Sequence, residues 1–422
     1  MRILRHTDPD FVKALAALQR HATPAPEIEW TVREIIAEIR ARGDAALLEY
    51  TAKFGGATMT AAQLRVSGKP SVDPATKRAI ATAHANVRDF AKKSLRKSWS
   101  ARNKQGALVG ERFDPFQRVG IYVPGGTAPL VSTAIMTVTL AAAAGVPEIA
   151  VATPSDADGK VNDALLYALN FAGATEVYRV GGAQAIAALA FGTKTIAPVQ
   201  KIFGPGNAYV VEAKRQVFGQ VAIDLLPGPS EILVLADASA NAAWIASDLL
   251  AQAEHGKGSS ILFVTNSAAL LAKVEKQIAA QLATLSRQAH LAPVLEQNCV
   301  LILVKTLRDA VKVANAFAPE HISIVTKEDA KIAAQVRTAG AIFLGGWSPV
   351  AAGDFVAGPS HTLPTGGAGK SFPGLTSEMF QKRTSIVRLD EKSLRKSVPA
   401  ITQFSAIEGL DAHGHSAMIR LE

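Results

Sequence analysis

The chain has 422 residues, of which 48 % are hydrophobic, 19 % charged and 6 % aromatic, and its formal net charge is +9. That balance excludes a disordered chain and supplies aliphatic side chains for two or three domain cores. A single cysteine, Cys299, excludes an intramolecular disulfide and a Cys-rich metal site.

The N-terminal region predicts helices over residues 8–20, 27–42 and 73–98, with Pro24 and Pro26 breaking the first from the second. The densest basic run, 92–104, reads as a solvated helix end. From Arg118 the rhythm changes. Short apolar strands at 120–123, 149–152, 176–180 and 221–226 alternate with helices at 132–144, 163–171, 183–191 and 207–218. The pattern restarts after Pro227-Gly228-Pro229. Strands at 232–236, 261–264, 300–304, 322–325 and 341–344 enclose helices at 242–254, 268–285, 307–317 and 330–338. Residues 345–372 are rich in Gly and Pro, and a helical tail closes the chain.

Uniformly apolar strands between helices predict parallel sheets buried on both faces. The expected fold is α/β: two Rossmann-like doubly wound parallel-sheet domains, plus helical N-terminal and C-terminal segments. No strand is followed by a full G-x-G-x-x-G. The nearest string, Gly204-Pro205-Gly206, lacks the third glycine, so a dinucleotide would bind here without the usual fingerprint.

Residues 1–11 do not read as a secretory leader, so none is expected, and the longest near-apolar stretch, 133–146, is shorter than the roughly 20 residues a bilayer requires. A cytoplasmic protein with no membrane partner is expected. The positive charge is dispersed and no nucleic-acid motif accompanies it, so nucleic acid is not an expected partner either.

Several residues could carry chemistry. Gln252 and His255 are three apart and share a helix face, and Gly256 ends that helix. A His there, at the top of an α/β unit, is placed for a ligand, although a lone His is more often a capping or core residue. Glu320-His321 lies between a helix and a strand. It forms a plausible acid–base set near neutral pH, and a surface Glu beside a strand-edge His is the plain alternative. Asp354 and His361 lie in the Gly-rich loop, where sites collect. A two-His, one-carboxylate zinc set can be drawn from these residues, but the spacing is too long to specify it. Glu408 and His413, near the end, read by themselves as surface. Cys299 opens an apolar strand with no basic neighbour and reads as a buried, inert thiol.

The strings GIYVPGGTAPLVSTAIM, VGGAQAIAALAFGT, FGPGNAYVVEAKR, GPSEILVLAD, DLLAQAEHG, APEHISIV, GAIFLGGWSPVAAGD, SHTLPTGG, MFQKRTSIV and EGLDAHG run in order from Gly120 to Gly414. Together they resemble the histidinol dehydrogenase family. The resemblance implies an NAD-dependent oxidation of L-histidinol to L-histidine through histidinal, with two NAD⁺, in a homodimer holding one zinc per subunit. It implies zinc held by Gln252, His255 and Asp354, with His413 from the other subunit. Glu320 and His321 would transfer protons. Ser230, His361 and the other subunit's Glu408 would join the metal residues and His321 around the substrate. Tyr122, Gln184 and Asn207 would contact NAD. The implied organisation is an N-terminal arm (1–22), a first Rossmann-like domain (23–122 with 231–375), an NAD-binding second domain (123–230) and a dimerisation tail (376–422). The sequence departs from the family pattern at Asp224-Leu225-Leu226-Pro227, after Thr365 and over 375–378, none of them a ligand position.

Overall fold

The structure, a computed structural model, describes residues 1–18, 20, 26–125 and 129–422. Its strands in chain order are β1 (Arg2–Arg5), β2 (Trp99–Arg102), β3 (Leu108–Pro115), β4 (Arg118–Tyr122), β5 (Glu148–Ala152), β6 (Glu176–Tyr178) and β7 (Lys201–Phe203). Then follow β8 (Ala222–Ile223), β9 (Glu231–Ala236), β10 (Ser260–Thr265), β11 (Cys299–Leu303), β12 (His321–Val325), β13 (Ala341–Leu344) and β14 (Gln381–Arg388).

Two sheets are wholly parallel, as the alternating apolar runs predict. One has six strands in the order β1-β11-β10-β9-β12-β13, and the other has five in the order β6-β5-β4-β7-β8. The chain is thus α/β with buried parallel sheets. The period of two along β9 shows why both faces must be apolar. Ile232, Val234 and Ala236 face the helices Ala242–Ala253 and Ala268–Leu282. Leu233 and Leu235 face the opposite core, with Ala310, Ala314 and Phe317 of the helix Leu307–Phe317.

The N-terminal helices pack on the five-stranded sheet. Val32, Ile35 and Ile39 of the helix Pro26–Arg42 lie against the five-stranded sheet, with Ile186 and Leu189. Ile80 and Val87 of the helix Pro74–Ser94 cover its other face, with Val119, Ile121 and Val138. Both helices therefore cover the five-stranded sheet, and the second also reaches the 231–375 stretch, where Asn86 donates to the Val356 carbonyl at 2.8 Å. An apolar stripe on a helix demands a cover but does not name which sheet supplies it.

Three stretches differ from expectation. Residues 2–5 form β1, which pairs with β11, and the helix that follows is only Phe11–Ala16. The basic run does not continue the helix past Ser94; it enters β2, which pairs with β3. The tail opens with β14, antiparallel to β3, before its helices Glu391–Glu408 and Asp411–Met418. These strands are largely exposed and mixed in polarity, so no clean alternation announces them. Among the described residues no helix is long and apolar enough to cross a membrane.

Candidate active site

The cluster is built where β9 and β12 begin. They are parallel neighbours, with His321 opposite Ile232. The helix Leu307–Phe317 ends in Ala318, the one non-glycine residue with positive φ (52°) among the described residues. Strain of this kind persists only where the surroundings hold it, and it clusters at functional sites. It turns the chain so that Pro319 and Glu320 lead straight into β12. Both Glu320 and His321 are buried, 6 % and 3 % exposed.

Their hydrogen bonds are specific. Glu320 Oε2 accepts from the Ser230 hydroxyl at 2.6 Å and from the Glu231 N–H at 2.8 Å. His321 Nδ1 lies 3.0 Å from the Glu231 carbonyl oxygen, an acceptor, so Nδ1 carries a proton and donates it there. That leaves Nε2 as the free nitrogen. It is buried, has no hydrogen-bond partner among the described residues, and stands 3.6 Å from Asp354 Oδ1.

Asp354 is on the short helix Val350–Phe355, and its backbone carbonyl lies 3.0 Å from His361 Nδ1. His361 Nε2 is 2.9 Å from the hydroxyl of Thr133, on the helix Val131–Ala143. This pair of contacts ties the Gly-rich loop to the five-stranded unit. Gln252 is buried on the last turn of the helix Ala242–Ala253, while His255, just beyond it, is exposed. A helix returning between parallel strands runs against them, so its C-terminal end lies at the strands' amino ends. The cluster consequently sits at the amino ends of the six-stranded sheet, not at the top of that unit as the sequence reading supposed.

The electrostatics are strongly coupled. Burial pushes the His321 imidazole down, but the Glu320 and Asp354 carboxylates outweigh it and raise it to about 10. Burial pushes Asp354 up, and the His321 ring beside it, with the nearby His361 and His255, brings it below the usual carboxylate range. Burial lowers His361. Cys299 is buried with its thiol pushed up to about 12 by desolvation, as an inert thiol requires.

Gln252, His255 and Asp354 offer donors to a metal. The amide nitrogen of Gln252 is buried without a partner among the described residues. Amide N and O exchange by a simple flip, so the unpartnered position equally suits the carbonyl oxygen, a cation donor. Among the described residues no three His, Cys, Asp or Glu side chains converge as a metal set. Glu408 and His413 are exposed and line a separate surface groove with Gln105, Phe404 and Leu410, so one chain does not bring them to the cluster.

Tyr122, Gln184 and Asn207 do come together. They line a cavity of about 470 Å³ with Gly125, Gly182 and Phe54. β4 lies between β5 and β7, and the chain leaves β4 toward β5 before returning on the other side to β7. The crevice past the ends of β4 and β7 is therefore a topological switch point, where open α/β sheets bind ligands. The Tyr122 hydroxyl accepts the Gly182 N–H at 3.1 Å. Gln184 Oε1 is buried and unpartnered among the described residues. Asn207 caps the helix Ala208–Val217 through Oδ1, which leaves its NH₂ group for the cavity. Glu231, Arg20 and Thr133 join the site without a signal in the sequence. Glu231 is disguised as the first residue of an apolar strand, and neither Arg20 nor Thr133 sits in a pattern that signals a distant partner.

The histidinol dehydrogenase family model matches residues 18–421. A curated histidinol dehydrogenase of Bradyrhizobium diazoefficiens is 44 % identical over 425 residues, spanning 99 % of this chain and 98 % of that one. One from Rhodopseudomonas palustris is 45 % identical over 428 residues, with the same coverages of 99 % and 98 %. The crystal structure of a histidinol dehydrogenase from Elizabethkingia anophelis superposes with a TM-score of 0.94 at 34 % identity, covering 100 % of this chain and 98 % of that one.

Proposed function

This chain belongs to the histidinol dehydrogenase family, and from that premise we propose that it oxidises L-histidinol to L-histidine through L-histidinal, using two NAD⁺. The observation that carries the reading is the His321 ring, with one nitrogen committed to the Glu231 carbonyl and the other buried and unpartnered. Removing hydride from an alcohol carbon requires the O–H proton to leave as well, and Nε2 of neutral His321 is the acceptor. The two carboxylates that raise this ring are Glu320 and Asp354. With Asp354 engaged by a cation, one of them is neutralised, which favours the neutral imidazole that a base needs.

The second oxidation starts from the hydrated aldehyde. Glu320 holds Ser230 and the Glu231 N–H through Oε2 and makes no hydrogen bond through Oε1 among the described residues. Oε1 is thus available to take a proton from the attacking water. The second carbon–hydrogen bond then breaks with loss of hydride, and His321, its first proton released to solvent after the alcohol step, takes the hydroxyl proton. NAD⁺ would accept both hydrides, one molecule per step, and would lie against Tyr122, Gln184 and Asn207. The switch-point cavity and the orphaned Gln184 oxygen support that position, and the five-stranded unit is the Rossmann-like, NAD-binding part of this reading.

One zinc per subunit would be held by Gln252, His255 and Asp354, and it would supply a fixed cationic anchor for the substrate imidazole and amine. Three donors from one chain leave a tetrahedral set one short. His413 of the partner subunit would complete it, and Glu408 of the partner subunit would reach the substrate with His361 and Ser230. An exposed apolar surface supports a homodimer. Trp347, Phe355, Ile342 and Leu344 are open to solvent around β13 and the Asp354 helix, and Phe404 and Ile407 are open on the tail.

Purified protein incubated with NAD⁺ and limiting L-histidinol is expected to form two NADH per histidinol, with histidine as product. One NADH with aldehyde accumulating would overturn the two-step reading.

A further inference from the structure

Every polar group of Glu231 is turned toward the catalytic pair or toward what fixes it. Its N–H donates to Glu320 Oε2 at 2.8 Å, and its carbonyl accepts from His321 Nδ1 at 3.0 Å. Its carboxylate accepts the Glu320 N–H at 3.3 Å through Oε2 and the Gly366 N–H at 2.9 Å through Oε1. The side chain is 3 % exposed as a residue, so an unpaired charge there would be costly. Arg20 supplies the pair. Its Nε donates to Glu231 Oε1 at 2.8 Å, and Nη2 forms an ion pair with Oε2.

Arg20 does more than neutralise. Its Nη1 donates to the Phe317 carbonyl at 3.1 Å, and the guanidinium lies over the Phe317 ring, 3.3 Å from the centroid. One side chain therefore grips the residue before the strained Ala318 and the carboxylate that holds the Glu320 N–H after it. The turn 318–320 is clamped at both ends. A guanidinium fits this task because it is planar, always charged and presents several donors at fixed angles.

We propose that Arg20 and Glu231 form a positioning brace that sets the Glu320 carboxylate and the His321 ring for proton transfer. The proposal rests on the acid–base roles given to Glu320 and His321 above. The brace touches neither the cavity of Tyr122, Gln184 and Asn207 nor the metal donors. Its loss is therefore expected in turnover rather than in NAD⁺ binding. A displacement of about 1 Å in a reacting group costs as much as 10²-fold in rate.

The test uses the metal-loaded protein with Arg20→Met, Arg20→Ala and Glu231→Gln. Arg20→Met is expected to lower kcat for histidinol about 10- to 100-fold. KM for NAD⁺ and zinc per subunit should stay at the wild-type level. Millimolar methylguanidinium should restore part of the kcat of Arg20→Ala, and equal KCl should not. Glu231→Gln keeps an acceptor oxygen but loses the charge, and it should stay folded with reduced kcat. A second readout needs no substrate. In ¹⁵N-histidine spectra, the His321 ring signals, identified by their loss in His321→Asn, should leave the Nδ1–H form in Arg20→Met. Unchanged kcat and unchanged ring signals would overturn the brace. So would a loss of activity that merely follows the folded fraction and ignores methylguanidinium. Wild-type protein inert toward histidinol would refute the proposed activity, and the ring spectra would still decide the brace.

Discussion

The loop that follows β7 is held by a buried ion pair, and breaking it gives a quantitative test of the NAD⁺ position proposed at the cavity of Tyr122, Gln184 and Asn207. Lys214 and Asp224 are both fully buried at their side chains. Lys214 Nζ donates to the Gly204 carbonyl at 2.9 Å and to Asp224, and Asp224 Oδ2 accepts the Gly204 N–H at 2.7 Å. Both peptide groups of one glycine are thus served by one pair. Gly204 has φ +106°, and a Cβ there would meet the Tyr122 carbonyl oxygen at 2.0 Å, so the backbone approach itself requires glycine. Lys214→Met leaves Asp224 as an uncompensated buried charge, a change that costs about 3–5 kcal/mol. The double change Lys214→Met with Asp224→Asn removes both charges and leaves mainly the Gly204 carbonyl without a donor, about 1–3 kcal/mol. The double variant should therefore be more stable than Lys214→Met alone. Urea unfolding, followed by tryptophan fluorescence at matched protein concentration, measures both. Because the loop leads to Asn207, the double variant should also show a raised KM for NAD⁺. A loss below about 1 kcal/mol for Lys214→Met, or a double variant as damaged as the sum of the singles, would refute the reasoning.

Three other outcomes follow from the site. His321→Asn should lower turnover of both alcohol and aldehyde by about 10²–10⁴-fold, whereas Glu320→Gln should harm the aldehyde step more; equal losses on both substrates for Glu320→Gln would end that division of labour. Chelation should remove about one zinc per subunit together with activity, and added zinc should restore both; full turnover by metal-free protein would contradict the ligand set. Subunits carrying His413→Ala and subunits carrying His255→Ala should each be inactive alone yet recover activity when co-folded, because a mixed dimer assembles one intact site. Verified mixed dimers without activity would refute the cross-subunit assignment of His413 and leave the other zinc ligands standing.

The class of fold and the alternation of its buried parallel strands with helices are legible in the local pattern, whereas the strands β1, β2, β3 and β14 are not. Runs such as Ile232–Ala236 leave no polar face, so they can only be strands covered on both sides, and the breaks at Pro227–Pro229 and 345–372 divide the rhythm. The ordered motifs also determined the family, and with it a list of residues. Tertiary structure decided what those residues can do. His321 is a ring with a committed Nδ1 only because β9 lies beside β12 and aims the Glu231 carbonyl at it, a contact 90 residues apart in sequence. Arg20 becomes part of the site across 211 residues, and Thr133 meets His361 across 228. The amphipathic helices at 26–42 and 74–94 announced an apolar stripe, but the choice of the five-stranded sheet as its cover was made by packing. Local pattern carries periodicity and propensity, which fix what an element is. Charge state, tautomer and strain depend on which groups burial forces together, and that is settled only when the chain closes on itself.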